Sequence, residues 1–151
     1  MIMNYENFPH YWVNHLGFQL RKELETAFVA NGHRVTSEEW ALLLILSKHG
    51  QLSPRDLSQL TLRDPTTVSR LIDRLEGKGL LERTRTRKDR RIVDVGITEA
   101  GRVLFAKLAD IASRLINLSL QDIAPQDLEL VNQVLKKMSE NLSNLERGAD
   151  V

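Results

Sequence analysis

Residues 83–91, RTRTRKDRR, crowd six cationic side chains and one acid into nine positions. Like charges at that density repel unless something anionic faces them, and guanidinium groups bind phosphate well through charge-assisted, often two-pronged hydrogen bonds. A second set stands just upstream in DPTTVSRLIDRLEGKG, residues 64–79. Helical spacing that buries Val68, Leu71, Ile72 and Leu75 turns Thr66, Thr67, Arg70 and Arg74 outward. A helix fits the DNA major groove, where arginine can give two hydrogen bonds to a guanine edge and threonine can donate, accept or touch a thymine methyl. Thr66, Thr67 and Arg70 are therefore expected to contact bases, and Arg74, one turn on, a phosphate. Asp73 shares the outward side and is expected to pair with a neighbouring arginine.

Plainer readings stand beside these. A charged run is ordinarily a solvated loop. Thr66 and Thr67 also suit the first turn of any helix. Arg70 and Arg74 could simply support their helix through acids three or four residues away. The order of the segments favours nucleic acid, because the basic run directly follows the helix with outward Thr and Arg.

The elements that must hold these residues follow from capping and periodicity. Asn7, Phe8 and Pro9 suggest a cap and first turn, after which Trp12, Val13, Leu16, Leu20, Leu24, Ala27 and Phe28 recur at helical spacing until Asn31 and Gly32. In TSEEWALLLILSKHG, Thr36 and Glu39 form a capping box and Gly50 closes a helix expected to bury Trp40, Leu43, Leu44 and Leu46. Two shorter helices begin at Ser53 and Asp64, each a polar cap followed by proline, with only TLR between them. That is the pattern of a helix-turn-helix. Glycines 77 and 79 end the second, and GLLERTRTR and RIVDVGIT then read as two strands, with Val93, Val95 and Ile97 on one face. Two long helices finish the chain. Leu104, Leu108, Ile111, Leu115 and Leu118 mark one; Leu128, Val131, Leu135, Met138, Leu142 and Leu145, after Pro125, mark the other. Such stripes want a partner helix. RGADV at the end is expected to be loose.

The predicted class is mainly α: six helices with a two-stranded hairpin, a winged helix. Residues 36–98 would form the DNA-binding lobe, and residues 1–35 with 99–151 a helical dimerisation region. Charge follows the same division. Residues 48–91 carry 12 of the 21 Lys and Arg against 6 acids, while the flanks hold 9 bases and 14 acids. An anion-facing module between acidic ends is implied.

Other classes lose ground. There is no cysteine, so disulfides, thiolate redox sensing and cysteine-ligated zinc are excluded. His10 and His15 are five apart and share no helix face, and His33 and His49 stand in turns, so no metal or cofactor site is expected. No G-x-S-x-G, P-loop or H-E-x-x-H occurs, which argues against an enzyme. MIMNYENFPHYW carries no basic leader, and WALLLIL is too short to span a bilayer, so a cytoplasmic protein is expected.

SPRDLSQLTLRDPTTVSRLIDRLEGKGLLERTRTRKDRRIVDVGITEAG, residues 53–101, resembles the DNA-binding lobe of MarR-type transcriptional regulators. Asp89, Arg90 and Arg91 fit that family's Asp-x-Arg wing motif, and TEAG from Thr98 opens the following helix. Ala124, before Pro125, stands where a Ser or Thr cap is usual. The resemblance implies a homodimer on a pseudo-palindromic operator, acting as a repressor. Arg87, Lys88, Arg90 and Arg91 would form a cationic wing tip, Arg91 entering the minor groove, with Asp89 orienting its basic neighbours and Arg55 clamping the backbone. It also implies release by a small aromatic acid in a crevice near Tyr11, Trp12, His15 and Trp40, although Trp12 and Trp40 sit equally well as core. The alternative is a winged helix that binds protein partners and answers to no ligand.

Overall fold

The computed structural model describes residues 3–85, 89 and 91–145. Two compact units make up the chain, Met1–Leu115 and Ile116–Val151. A single 3-10 turn, Tyr5–Asn7, leads into α1, Pro9–Ala30. Then come α2, Ser37–His49; α3, Pro54–Thr61; α4, Pro65–Gly77; β1, Leu81–Arg85; β2, Val93–Ile97; α5, Glu99–Ser119; and α6, Pro125–Leu145. Among the described residues, six α-helices and one antiparallel hairpin are thus the architecture the periodicity predicted.

The capping signals account for the boundaries. Thr36 and Glu39 make the full reciprocal capping box of α2. Ser53 and Asp64 each accept the backbone N–H three residues on, and proline opens both helices. Two local expectations need correction. Phe8, not Asn7, is the N-cap of α1 and supplies no side-chain bond; Asn7 is taken up in the preceding 3-10 turn. Leu44 is exposed, while Leu42 is fully buried. The buried arc of α2 runs from Trp40 through Leu43 and Leu46 to Leu42, and Leu44 falls outside it.

The core of the first unit gathers Leu24 and Phe28 of α1, the buried arc of α2, Leu57 of α3, and Val68, Leu71, Ile72 and Leu75 of α4. Leu80, Leu81, Val95 and Ile97 close it from the hairpin, and Leu108, Ile111 and Ala112 from α5. β1 pairs with β2 in the register Leu81 to Ile97 and Arg85 to Val93. Leu52 adds a one-residue third strand, exchanging both backbone hydrogen bonds with Val95 at 2.7 and 3.0 Å.

The start of α5 meets the foot of the hairpin at close quarters. The Thr98 hydroxyl donates to Gly79 O at 2.7 Å and accepts from Gly101 N–H at 3.1 Å. A Cβ at Gly101 would lie 2.2 Å from Leu80 O and 2.7 Å from Ile97 Cγ2, so only glycine fits. No described residue of α6 is buried, and its first turn is closed by backbone bonds to Ala124 O. Among the described residues, no helix is long and apolar enough to cross a membrane.

Candidate nucleic-acid interface

The outward face of α4 begins at its cap. The Asp64 carboxylate accepts from Thr67 N–H at 2.9 Å and from the Thr67 hydroxyl at 2.6 Å. Those bonds, the hydroxyl's first, hold the Asp64 carboxyl below its ordinary range. The Thr67 hydroxyl proton is thereby committed to the cap, leaving its oxygen as an acceptor. Thr66 and Arg70 are exposed, and neither side chain has a hydrogen bond or ion pair with a described residue. Arg74 is half exposed and lies 3.5 Å from a Glu39 carboxylate oxygen. Val68, Leu71, Ile72 and Leu75 are the buried stripe that turns these four residues outward.

The wing is fastened to α4 by a residue that the charge run alone did not single out. Arg83 donates to Asp73 at 2.7 Å and to Glu76 at 2.6 Å. The bond to Asp73 raises its already high guanidinium pKa further. Asp73 thus has the arginine partner expected for it. Arg83 is spent inside the lobe, and the signal that marked it was the pair of acids three apart at the end of α4. Glu39 and Lys78, 3.0 Å apart, also escaped notice as a tertiary pair.

Further out, Asp89 Oδ1 accepts from Arg91 N–H at 2.9 Å, and Asp89 O accepts from Ile92 N–H at 3.0 Å. The acid therefore shapes the turn that carries Arg91, which is exposed. Arg55 is exposed in the first turn of α3. Arg87, Lys88, Arg90 and the 147–151 tail lie outside the described residues.

The four aromatic positions fall into two groups. Tyr11, Trp12 and His15 share ring contacts on α1 at centroid distances of 5.0 to 6.0 Å, and the Trp12 indole N–H donates to Glu6 O at 3.0 Å. Trp40 instead stacks on Phe105 at 5.4 Å and tilts against Phe28 at 5.6 Å within the core. A crevice of about 440 Å³ opens beside that core, lined by Gln51, Glu82, Gly96, Arg102 and Phe105 among others. Among the described residues no group of three or more His, Asp or Glu could hold a metal ion.

Comparison with known proteins places this geometry. The model of the MarR family matches residues 35–93. The organic hydroperoxide resistance transcriptional regulator of Bacillus subtilis is 30% identical over 108 residues, covering 72% of each chain. A MarR-family transcriptional regulator from Silicibacter pomeroyi has a TM-score of 0.78 at 26% identity, over 90% of each chain. Bordetella bronchiseptica BpsR, whose DNA binding is regulated by 6-hydroxynicotinic acid, shares the fold with a TM-score of 0.79 at 22% identity, over 92% of this chain and 98% of its own. A helix-turn-helix with its wing, matched by family model, relative and solved structure alike, makes this chain a member of the MarR family of transcriptional regulators.

Proposed function

We propose that the protein binds double-stranded DNA sequence-specifically as a homodimer and represses transcription by occupying a pseudo-palindromic operator. The observation that carries this is α4, where Thr66 and Arg70 stand exposed and without partners among the described residues, on the face opposite the buried stripe. Thr66, Thr67 and Arg70 contact bases; Arg74, Arg55 and the wing residues Arg87, Lys88, Arg90 and Arg91 contact phosphate or the minor groove. Residues 36–98 serve as the DNA-binding lobe, and residues 1–35 with 99–151 as the dimerisation region. Two lobes related by a twofold axis would meet half-sites roughly 10 base pairs apart, or a multiple of that.

Support for the dimer comes from apolar side chains left in water by a single chain. Trp12, Val13 and Leu16 on α1, and Leu130, Val131, Val134 and Leu142 on α6, are all exposed. A small aromatic or phenolic acid is the effector, received by the half-buried ring of Tyr11 and the exposed Trp12 with His15, and it releases DNA by favouring a lobe spacing that the operator does not fit.

Selection of duplexes from a random pool tests the reading, because the recovered motif reports symmetry and spacing together. Affinity for the selected site should fall roughly 10³- to 10⁵-fold between 50 and 200 mM salt if about six to ten phosphates are contacted. No retention on any duplex at moderate salt would leave the protein-partner alternative. Phenolic acids titrated into the complex should release it, and no release by any of them removes the effector.

A further inference from the structure

Glu39 is the one fully buried charged side chain among the described residues. The sequence gives it a local duty as the third residue of the α2 capping box. Its carboxylate does more. One oxygen accepts from Thr36 N–H at 3.3 Å and from Lys78 Nζ at 3.0 Å; the other is 3.2 Å from Lys78 Nζ and 3.5 Å from Arg74 Nη1. Lys78 Nζ also donates to Arg34 O at 3.1 Å. Arg74, in the last turn of α4, and Lys78, its C-cap, are four residues apart, so a single anion on α2 grips the end of that helix through both.

The two ends of α4 are held differently. The N-terminal end is capped by its own Asp64. The C-terminal end is tied to α2 through Glu39 and to the wing through Arg83. Apolar packing along Val68, Leu71, Ile72 and Leu75 is non-directional and tolerates small rotations of the helix. A water-excluded carboxylate with directed partners tolerates fewer, because low local dielectric strengthens its bonds and penalises their loss. The charge count also leaves a surplus: two cations face one carboxylate, and Arg74, with 52% of its side chain exposed, keeps donors for an external anion.

We propose that Glu39 is a positioning residue for DNA recognition. It sets the orientation in which α4 presents Thr66 and Arg70, and it holds the Arg74 guanidinium ready for a backbone phosphate. This rests on the DNA-binding reading above.

The test uses Glu39→Gln, which keeps the side chain's shape, and Lys78→Met, which removes the partner and leaves the cap. Both are compared with wild type by circular dichroism, by hydrogen exchange without DNA, and by affinity for the selected operator and a random duplex. In both variants amide exchange should speed up about tenfold or more in the last turn of α4 and little in its first. Operator affinity should fall about tenfold to a hundredfold, with a smaller loss on random DNA. The factor lost on Arg74→Ala should shrink in the Glu39→Gln background, because the two act as a unit. Unchanged exchange in both variants would overturn the anchor. Equal losses on both duplexes, with the Arg74→Ala factor preserved, would reduce Glu39 to a structural residue. A wild type that retains no duplex would overturn the DNA reading, and with it the recognition half of this inference, while the exchange data still judge the anchor.

Discussion

The helix-turn-helix and the helices α1 and α6 treat apolar residues in opposite ways. Val68, Leu71, Ile72 and Leu75 of α4 are at most 2% exposed, whereas Trp12, Val13, Leu16, Leu130, Val131, Val134 and Leu142 stand 46–62% exposed. All of these recur at helical spacing, so the pattern is the same and only the covering differs. The α4 stripe is satisfied inside its own unit. The stripes of α1 and α6 are left uncovered, and in the proposed dimer stability there should depend on protein concentration while stability of the lobe core should not.

The sharpest way to break that contrast is Leu142→Glu. A twofold interface carries the change twice, and each buried leucine is worth about 1.5–3 kcal/mol. The dimer dissociation constant should therefore rise roughly 10²- to 10⁴-fold, measured by sedimentation, with helix content unchanged in the monomer. An unaltered constant would place α6 outside the interface. Ile72→Ala should cost about 2–5 kcal/mol of stability in denaturant unfolding, because the site is fully enclosed. The cost should be the same at high and low protein concentration above the dimer constant.

Arg70→Ala leaves both kinds of packing alone. It should cost about 1–3 kcal/mol on the selected operator and relax sequence preference, whereas Arg91→Ala should weaken many sequences alike and lower the salt slope by about 1. Equal effects of the two on operator and random DNA would contradict the assigned division. The smallest effect is expected at Asp64. Its folded-state pKa is depressed, so its contribution is present above the ordinary value of 3.8 and is lost as pH falls through the depressed one. Asp64→Asn should keep much of the cap and remove that part of the acid limb, seen as a flatter stability profile below pH 3.8.

Much of this organisation was legible from residue types. Caps at Thr36, Ser53 and Asp64 announce their helices because each satisfies donors that the helix itself cannot. The stripe of α4 names its outward residues because a helix has a fixed period. What escaped were contacts between elements. Nothing in RTRTRKDRR distinguishes Arg83, bound to Asp73 and Glu76, from Arg91, left exposed, since strand register decides the matter. Glu39 showed its capping role because Thr36 is three residues away, and hid its role toward Lys78, 39 residues on. The exposed Leu44 follows from which side of α2 its neighbours cover, which no local signal encodes, while Leu62, with φ of 53°, closes α3 as a left-handed C-cap without the glycine that usually marks one.

The missing side chain at Gly101 bears on how movement can pass through the molecule. With the first turn of α5 pressed against Leu80 O and Ile97, and Thr98 stitched to Gly79, there is no slack joint between that helix and the foot of the hairpin. A tilt at the start of α5 must carry the hairpin along as a rigid lever. In the proposed dimer, a signal that altered the spacing of the two subunits would therefore need no separate relay to reach the hairpin.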